Sequence, residues 1–315
     1  DWNESEFPPT NKVFEVMKSF YRYERYPDIT AKQLKNKLSE YVSLPVDFIE
    51  VYNGSDDALK DIITVFVDRD TKVLSYQPSY TQVNTFITTN TEHYEKINIQ
   101  DPLGEHYYDF DHCKSADVVY LVNPNNPTGK LLPVKEIEKL VKQYPNTLFI
   151  VDEAYYEFAK QSCTHLVVSH KNLIVTRTFS KAFGLASVRL GYCMAHPDTL
   201  SDVRKIRNGK AVNALGQLCG IAALNDLDYL QSRIDEMNDA KKFFIDNLPN
   251  YYQAVNSDAN FVLVKTPDSK KVLEKMRENK ILIRDRSAFE NLENCVRITI
   301  GSKKQIIRVL DVMTN

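Results

Sequence analysis

Three side chains able to do chemistry stand at or just beyond apolar runs in this 315-residue chain. Asn126 lies in Val122-Asn123-Pro124-Asn125-Asn126-Pro127-Thr128-Gly129, after the run Val118 to Val122. Asp152 closes Leu148-Phe149-Ile150-Val151-Asp152 and leads into Glu153-Ala154-Tyr155. Lys181 follows Leu173 to Thr176 in Arg177-Thr178-Phe179-Ser180-Lys181, with Gly184 and Arg189 beyond it. Taken singly, each has a plain reading: a turn rich in Pro and Asn, an aspartate that caps a helix, a solvated lysine. Taken together, consecutive strand ends deliver an amide, a carboxylate and an amine, and open α/β sheets place ligand groups at such ends.

A fourth segment, Gly54-Ser55-Asp56-Asp57, precedes Leu59, Ile62, Ile63 and Phe66 at helical spacing. Its backbone amides sit at a positive helix terminus suited to a phosphate, although plain capping by Ser55 or an Asp explains the same text. Amide, carboxylate, lysine, Ser and Arg together form a tool set for binding a phosphorylated pyridine aldehyde.

The elements that must position these groups are legible as βα alternation. Apolar runs at Lys72 to Leu74, Val118 to Val122, Phe149 to Val151, Leu173 to Thr176 and Gly191 to Ala195 alternate with helical stretches. Pro133 followed by Ile137, Leu140, Val141 and Tyr144 predicts a crossover helix with proline in its first turn. Such alternation predicts a largely parallel sheet covered by helices. Ahead of it, Val13, Met17, Phe20 and Tyr21 predict a helix over Asn11 to Glu24, broken by Tyr26-Pro27. A second helix is expected to open at Thr30 with Gln33 as a capping-box partner and to bury Leu34, Leu38, Tyr41 and Val42. After residue 209 the text changes to a long helix with Met237 and Phe244, strands at Phe261 to Val264 and Val296 to Ile300, and a helix near Val272 to Met276. The expected organisation is an N-terminal arm over 1–28, a large domain over 29–208 and a smaller α+β domain over 209–315.

Composition narrows the function. Lys plus Arg number 40 against 42 Asp plus Glu, a formal net charge of −2, so no strong field exists for nucleic acid or anionic membrane. Apolar residues make up 43% of the chain, but no uninterrupted stretch reaches the roughly 18 needed for a membrane helix. With no cationic and apolar leader either, a cytoplasmic location is expected. Five cysteines without a C-x-x-C pair fit neither a disulfide framework nor a zinc site and are expected to be reduced. The six histidines show no metal-ligand spacing, and no Gly-x-Gly-x-x-Gly or Walker loop supports a dinucleotide or ATP reading.

With these motifs in place, the chain resembles a fold type I pyridoxal-phosphate enzyme, and most closely the histidinol-phosphate aminotransferase family, from about Asn3 to Val312. The resemblance implies an α/β fold with a mainly parallel central sheet, a smaller α+β domain, pyridoxal 5'-phosphate (PLP) as cofactor and a homodimer. It implies that Lys181 bonds the cofactor and later moves a proton between substrate Cα and cofactor C4′, and that Asp152 faces the pyridine nitrogen. Asn126 and Tyr155 match positions that hydrogen-bond the cofactor's ring oxygen, and Tyr80 matches the aromatic stacked on the ring. Ser55, Asp56, Thr178, Ser180 and Arg189 match a phosphate cup, where Asp57 replaces the usual Glu. Tyr26 resembles the tyrosine that reaches the neighbouring subunit's cofactor phosphate. Arg284 and Arg297 match arginines that hold a substrate carboxylate or phosphate, Arg284 also being readable as part of a solvated strand edge. Asn3-Glu4-Ser5-Glu6-Phe7-Pro8-Pro9 partly matches the family's Asn-Glu-Asn-Pro-Tyr arm, which helps close over substrate.

The expected activity is transfer of an amino group from L-glutamate to a small phosphorylated ketone. Imidazole acetol phosphate is the family default; dihydroxyacetone phosphate and an intermediate of surface-polysaccharide synthesis share the ketone beside a phosphorylated carbon. Decarboxylation of a phosphorylated amino acid, of the phosphoserine or phosphothreonine type, would reuse the same lysine, aspartate and cup. A catalytically idle fold would require loss of Lys181 or an added DNA-binding domain, and neither is seen.

Overall fold

The computed structural model describes residues 2–314. Seven strands form the first sheet: β1 (Ile49–Tyr52), β2 (Val73–Gln77), β3 (Tyr94–Asn98), β4 (Val118–Val122), β5 (Leu148–Asp152), β6 (Leu173–Thr178) and β7 (Gly191–Ala195), in the order β1-β7-β6-β5-β4-β2-β3. β2 through β6 are parallel, while β7 pairs antiparallel with both β6 and β1. β4 is buried along its whole length, as expected of an apolar run covered on both faces.

Alternating side chains feed two cores. Val119, Leu121, Phe149 and Val151 pack toward α1 (Asn11–Ser19), α2 (Lys32–Val42), α5 (Val134–Gln143) and α8 (Ala214–Leu224). Val118, Tyr120, Val122 and Ile150 pack toward α3 (Ser55–Phe66), α4 (Gln82–Asn90) and α7 (Pro197–Arg204). A single turn, α6 (Tyr156–Ala159), follows β5.

The second sheet is antiparallel throughout, in the order β10-β11-β9-β8, from β8 (Gln253–Ala254), β9 (Phe261–Lys265), β10 (Arg284–Asp285) and β11 (Cys295–Thr299). It buries Val262, Val264, Val296 and Ile298 against α9 (Leu227–Asp246), α10 (Ser269–Glu278) and α11 (Lys303–Thr314). Within the segment 209–315, apolar contacts pass from one sheet to the other along α9: Leu230 and Ile234 join the first core, Met237 and Phe244 the second.

Local departures from the sequence reading have physical causes. The first helix stops at Ser19, not near Glu24, and leaves Tyr21 exposed. Thr30 does not cap α2: Ala31 stands at the cap without a side-chain bond, and the carboxylate of Asp28 accepts from the Thr30 and Lys32 amides at 2.9 and 3.0 Å. β1, which the sequence reading does not single out, lies buried between α2 and α3. Its Glu50 is paired inside with Arg204 at 2.8 Å and Arg207 at 3.1 Å. All five cysteines are buried and unbridged, and among the described residues no helix is long and apolar enough to cross a membrane.

Candidate active site

Strand register assembles the site. Val122 pairs with Asp152 and Asp152 with Thr176, so the ends of β4, β5 and β6 stand side by side. β6 and β7 are joined through Phe179 to Leu190, and the pairing of Thr178 with Gly191 folds that segment into a loop holding Lys181 near one end and Arg189 near the other. Gly191 also pairs with Tyr52 of β1, which brings the start of α3 against the same loop.

This packing is tight enough to need glycine at two points. A Cβ on Gly191 would lie 2.3 Å from the Ser55 nitrogen. Gly54, at φ +89°, would place a Cβ 2.6 Å from Arg189 Nη2 in a left-handed conformation that favours glycine. Gly54 offers α3 no side-chain cap, so the helix terminus presents bare amides beside Arg189, Thr178 and Ser180. Thr178 Oγ1 donates to Ser180 Oγ at 2.9 Å and accepts from the Ser180 amide at 3.1 Å.

These groups open onto a cavity of about 680 Å³ whose lining includes Ser55, Asp56, Tyr80, Asn126, Asp152, Tyr155, Thr178, Ser180, Lys181, Arg189, Arg284 and Arg297. Tyr26 is not among them: it is 79% exposed, with Lys210 Nζ 4.7 Å from its ring centre. The second sheet supplies the far wall. Arg284 pairs with Arg297 across β10 and β11, and Val296 and Ile298 face the core, so Arg297 points the other way, into the cavity.

Asp152 is buried, and its carboxylate accepts from Tyr120 Oη at 3.0 Å and Thr176 Oγ1 at 3.2 Å. Burial raises its pKa to about 6 despite those bonds. Lys181 Nζ donates to the Trp2 carbonyl at 2.8 Å and lies 5.9 Å from the centre of the Tyr155 ring. Tyr155, held edge-on against Phe261, accepts at its hydroxyl from Asn3 Nδ2 at 2.9 Å. Tyr80 donates to Asp56 Oδ1 at 2.9 Å, and burial raises its phenol's pKa. Asp56 Oδ2 lies 3.7 Å from Arg189 Nη2.

Sequence reasoning passed over several lining or supporting residues. Arg286 lies beside Arg284 and lines the cavity; burial, and then Arg297 and Arg284, push it down to about 10. Tyr120 reads as one more apolar strand residue, and its link to Asp152 appears only when β4 and β5 are in register. Asn3 belongs to the expected arm, but nothing in the sequence points it at Tyr155.

These residues fit PLP. A cup of bare helix amides, two hydroxyls and a guanidinium suits its phosphate. Asp152, a buried carboxylate facing the cavity with hydroxyl and amide partners, suits a protonated ring nitrogen, and Lys181, on the same cavity wall, would supply an amine for its aldehyde. When bound, PLP supplies an electron-withdrawing ring that stabilises negative charge at the substrate Cα.

Comparison with known proteins agrees. The profile of aminotransferase class I and II matches residues 3–313. The chain is 37% identical to the dihydroxyacetone phosphate transaminase of Campylobacter jejuni, over 99% of this chain and 88% of that one. It is 32% identical to a histidinol-phosphate aminotransferase of Ruminiclostridium cellulolyticum, over 99% of this chain and 90% of that one. The crystal structure of histidinol-phosphate aminotransferase from Sinorhizobium meliloti in complex with pyridoxal-5'-phosphate superposes with a TM-score of 0.90 at 25% identity, covering 98% of this chain and 88% of that one. The chain therefore belongs to the class I and II aminotransferases, within their histidinol-phosphate aminotransferase branch, and is a PLP-dependent transaminase of fold type I.

Proposed function

We propose that this aminotransferase moves the amino group of L-glutamate to a small phosphorylated ketone. The observation that carries the reading is a second anion-binding wall, Arg284, Arg286 and Arg297, in the same cavity as the phosphate cup around Arg189. One cup suffices for the cofactor, so the further arginines suit a substrate anion: the carboxylate of glutamate in one half of the cycle and a phosphate in the other. The named activities of the two relatives, on dihydroxyacetone phosphate and in histidinol-phosphate formation, share that chemistry.

In this reading Lys181 holds the cofactor and moves the proton at the substrate Cα, and Asp152 keeps the ring nitrogen protonated. Asn126 and Tyr155 donate toward the ring oxygen, and Tyr80 covers the ring face. Ser55, Asp56, Thr178, Ser180 and Arg189 hold the phosphate. Tyr26 serves the site of a second subunit in a homodimer, a role supported by its exposure alongside Tyr21 and Tyr23 on one segment. The location is cytoplasmic.

The test is incubation with PLP and L-glutamate plus, in turn, dihydroxyacetone phosphate and imidazole acetol phosphate. The expected result is 2-oxoglutarate and an amino phosphate in equal amounts with one of them. Release of carbon dioxide from phosphoserine or phosphothreonine, without 2-oxoglutarate from either ketone, would overturn it.

A further inference from the structure

Asn3 is fully buried. Its backbone is left-handed at φ +57°, a conformation that Asn tolerates better than most residues. Three separate parts of the fold converge on it. Its Oδ1 accepts from Thr299 Oγ1 of β11 at 3.1 Å, and its carbonyl accepts from Asn260 Nδ2 at 3.1 Å. Its Nδ2 donates to the Tyr155 hydroxyl at 2.9 Å. The segment behind it is fastened too: Glu6 accepts from Gln305 at 2.6 Å, and the Pro8 carbonyl accepts from Tyr229 Oη at 2.9 Å. Phe7 and Pro9 pass so close to the loop after Lys181 that a Cβ on Gly184 would lie 3.0 Å from the Phe7 carbonyl.

A tyrosine hydroxyl has one proton to give and two lone pairs to fill. Asn3 fills a lone pair from the protein side, so the hydroxyl's own proton is left for the cavity that Tyr155 lines. Accepting a bond also polarises the O–H and makes it the stronger donor. We propose that Asn3 is a positioning residue for the reaction: docking of the N-terminal arm points the Tyr155 proton at the cofactor's ring oxygen and so sets the protonation of the Lys181 linkage. This rests on the assignment of Tyr155 to that oxygen. A donor at the oxygen favours the form that has lost its proton, so loss of Asn3 raises the pH at which that linkage titrates.

The test follows that titration by visible absorbance of the PLP-loaded protein, without substrate. Asn3→Gly removes the amide and keeps the left-handed backbone free of strain. It is expected to raise the midpoint by about half to one pH unit. Asn3→Asp keeps the shape, but its carboxylate takes the Tyr155 proton instead of donating, so its rise should exceed that of Asn3→Gly; a merely structural role gives the reverse order. In a Tyr155→Phe background, Asn3→Gly should add nothing. A wild-type midpoint in Asn3→Gly while Tyr155→Phe shifts, or an undiminished Asn3→Gly shift on top of Tyr155→Phe, overturns the role of Asn3 alone. No shift in Tyr155→Phe overturns it together with the assignment of Tyr155.

Discussion

Arg297 Nη1 donates to Asn126 Oδ1 at 2.6 Å, joining β11 of the second sheet to the loop after β4 across 171 residues of sequence. The bond takes the acceptor end of the Asn126 amide, a side chain that lines the cavity. It also holds a guanidinium that burial pushes down to about 10, a desolvated cation in the cavity wall that favours an incoming anion.

Arg297→Lys keeps the charge and loses the planar fork. We expect kcat/KM for L-glutamate to fall about 100-fold, equivalent to ~2–3 kcal/mol, with cofactor affinity within a few-fold of wild type. Steady-state kinetics beside a PLP titration checks this. A parallel loss of cofactor affinity would move Arg297 from the substrate site to the cofactor site.

Asp152 titrates at about 6 in the cofactor-free fold, above the 3.8 of an unperturbed carboxylate. Between those values the folded protein holds a proton that the unfolded chain has released, so stability falls as pH rises from about 4 to 6 and the loss persists above it. At full burial the difference is worth up to ~3 kcal/mol. Asp152→Asn should flatten this dependence between pH 4 and pH 7 in thermal melts of cofactor-free protein and abolish turnover. A variant with the wild-type pH dependence would contradict the assignment of the burial cost to this carboxylate.

The proposed phosphate cup makes two changes comparable. Arg189→Ala removes the guanidinium, and Gly191→Ala pushes a methyl into the Ser55 amide. Each should raise the PLP dissociation constant about 10- to 100-fold, read by fluorescence titration. An unchanged constant in Arg189→Ala would remove that residue from the cup.

Behind the strand ends, Arg177 is buried against Glu153 at 2.9 Å and over the Tyr156 ring at 3.4 Å. Burial raises the neighbouring Glu157 to about 7. Arg177→Met leaves the Glu153 charge without its partner and should cost about 3–5 kcal/mol in denaturant unfolding. A loss below about 1 kcal/mol would show that the pair can be dismantled without consequence.

The sequence was most legible where one residue type answers one local demand. Val118 to Val122 and Gly191 to Ala195 appear as strands with the expected bounds, because an apolar run between turn residues has few other uses. Lys181, Asp152 and Asn126 stand out because each follows such a run. What escaped depends on contacts distant in sequence. Glu50 hides the buried character of β1, because its countercharges come from α7 and the segment after it. β7 reads like any strand, since direction is set by the loop it returns from. The links of Asn3 to Tyr155 and Arg297 to Asn126 span 152 and 171 residues and arise only when the arm and the second sheet close on the first.

The central claim is a transaminase half-reaction at Lys181, and the most direct measurement is the visible spectrum of the PLP-loaded protein before and after L-glutamate, with no ketone present. The account predicts conversion of the cofactor from its aldehyde to its amine form with one equivalent of 2-oxoglutarate released, and no conversion in Lys181→Ala, which should still fold and retain some cofactor affinity. A spectrum that glutamate leaves unchanged, or normal turnover in Lys181→Ala, would contradict it.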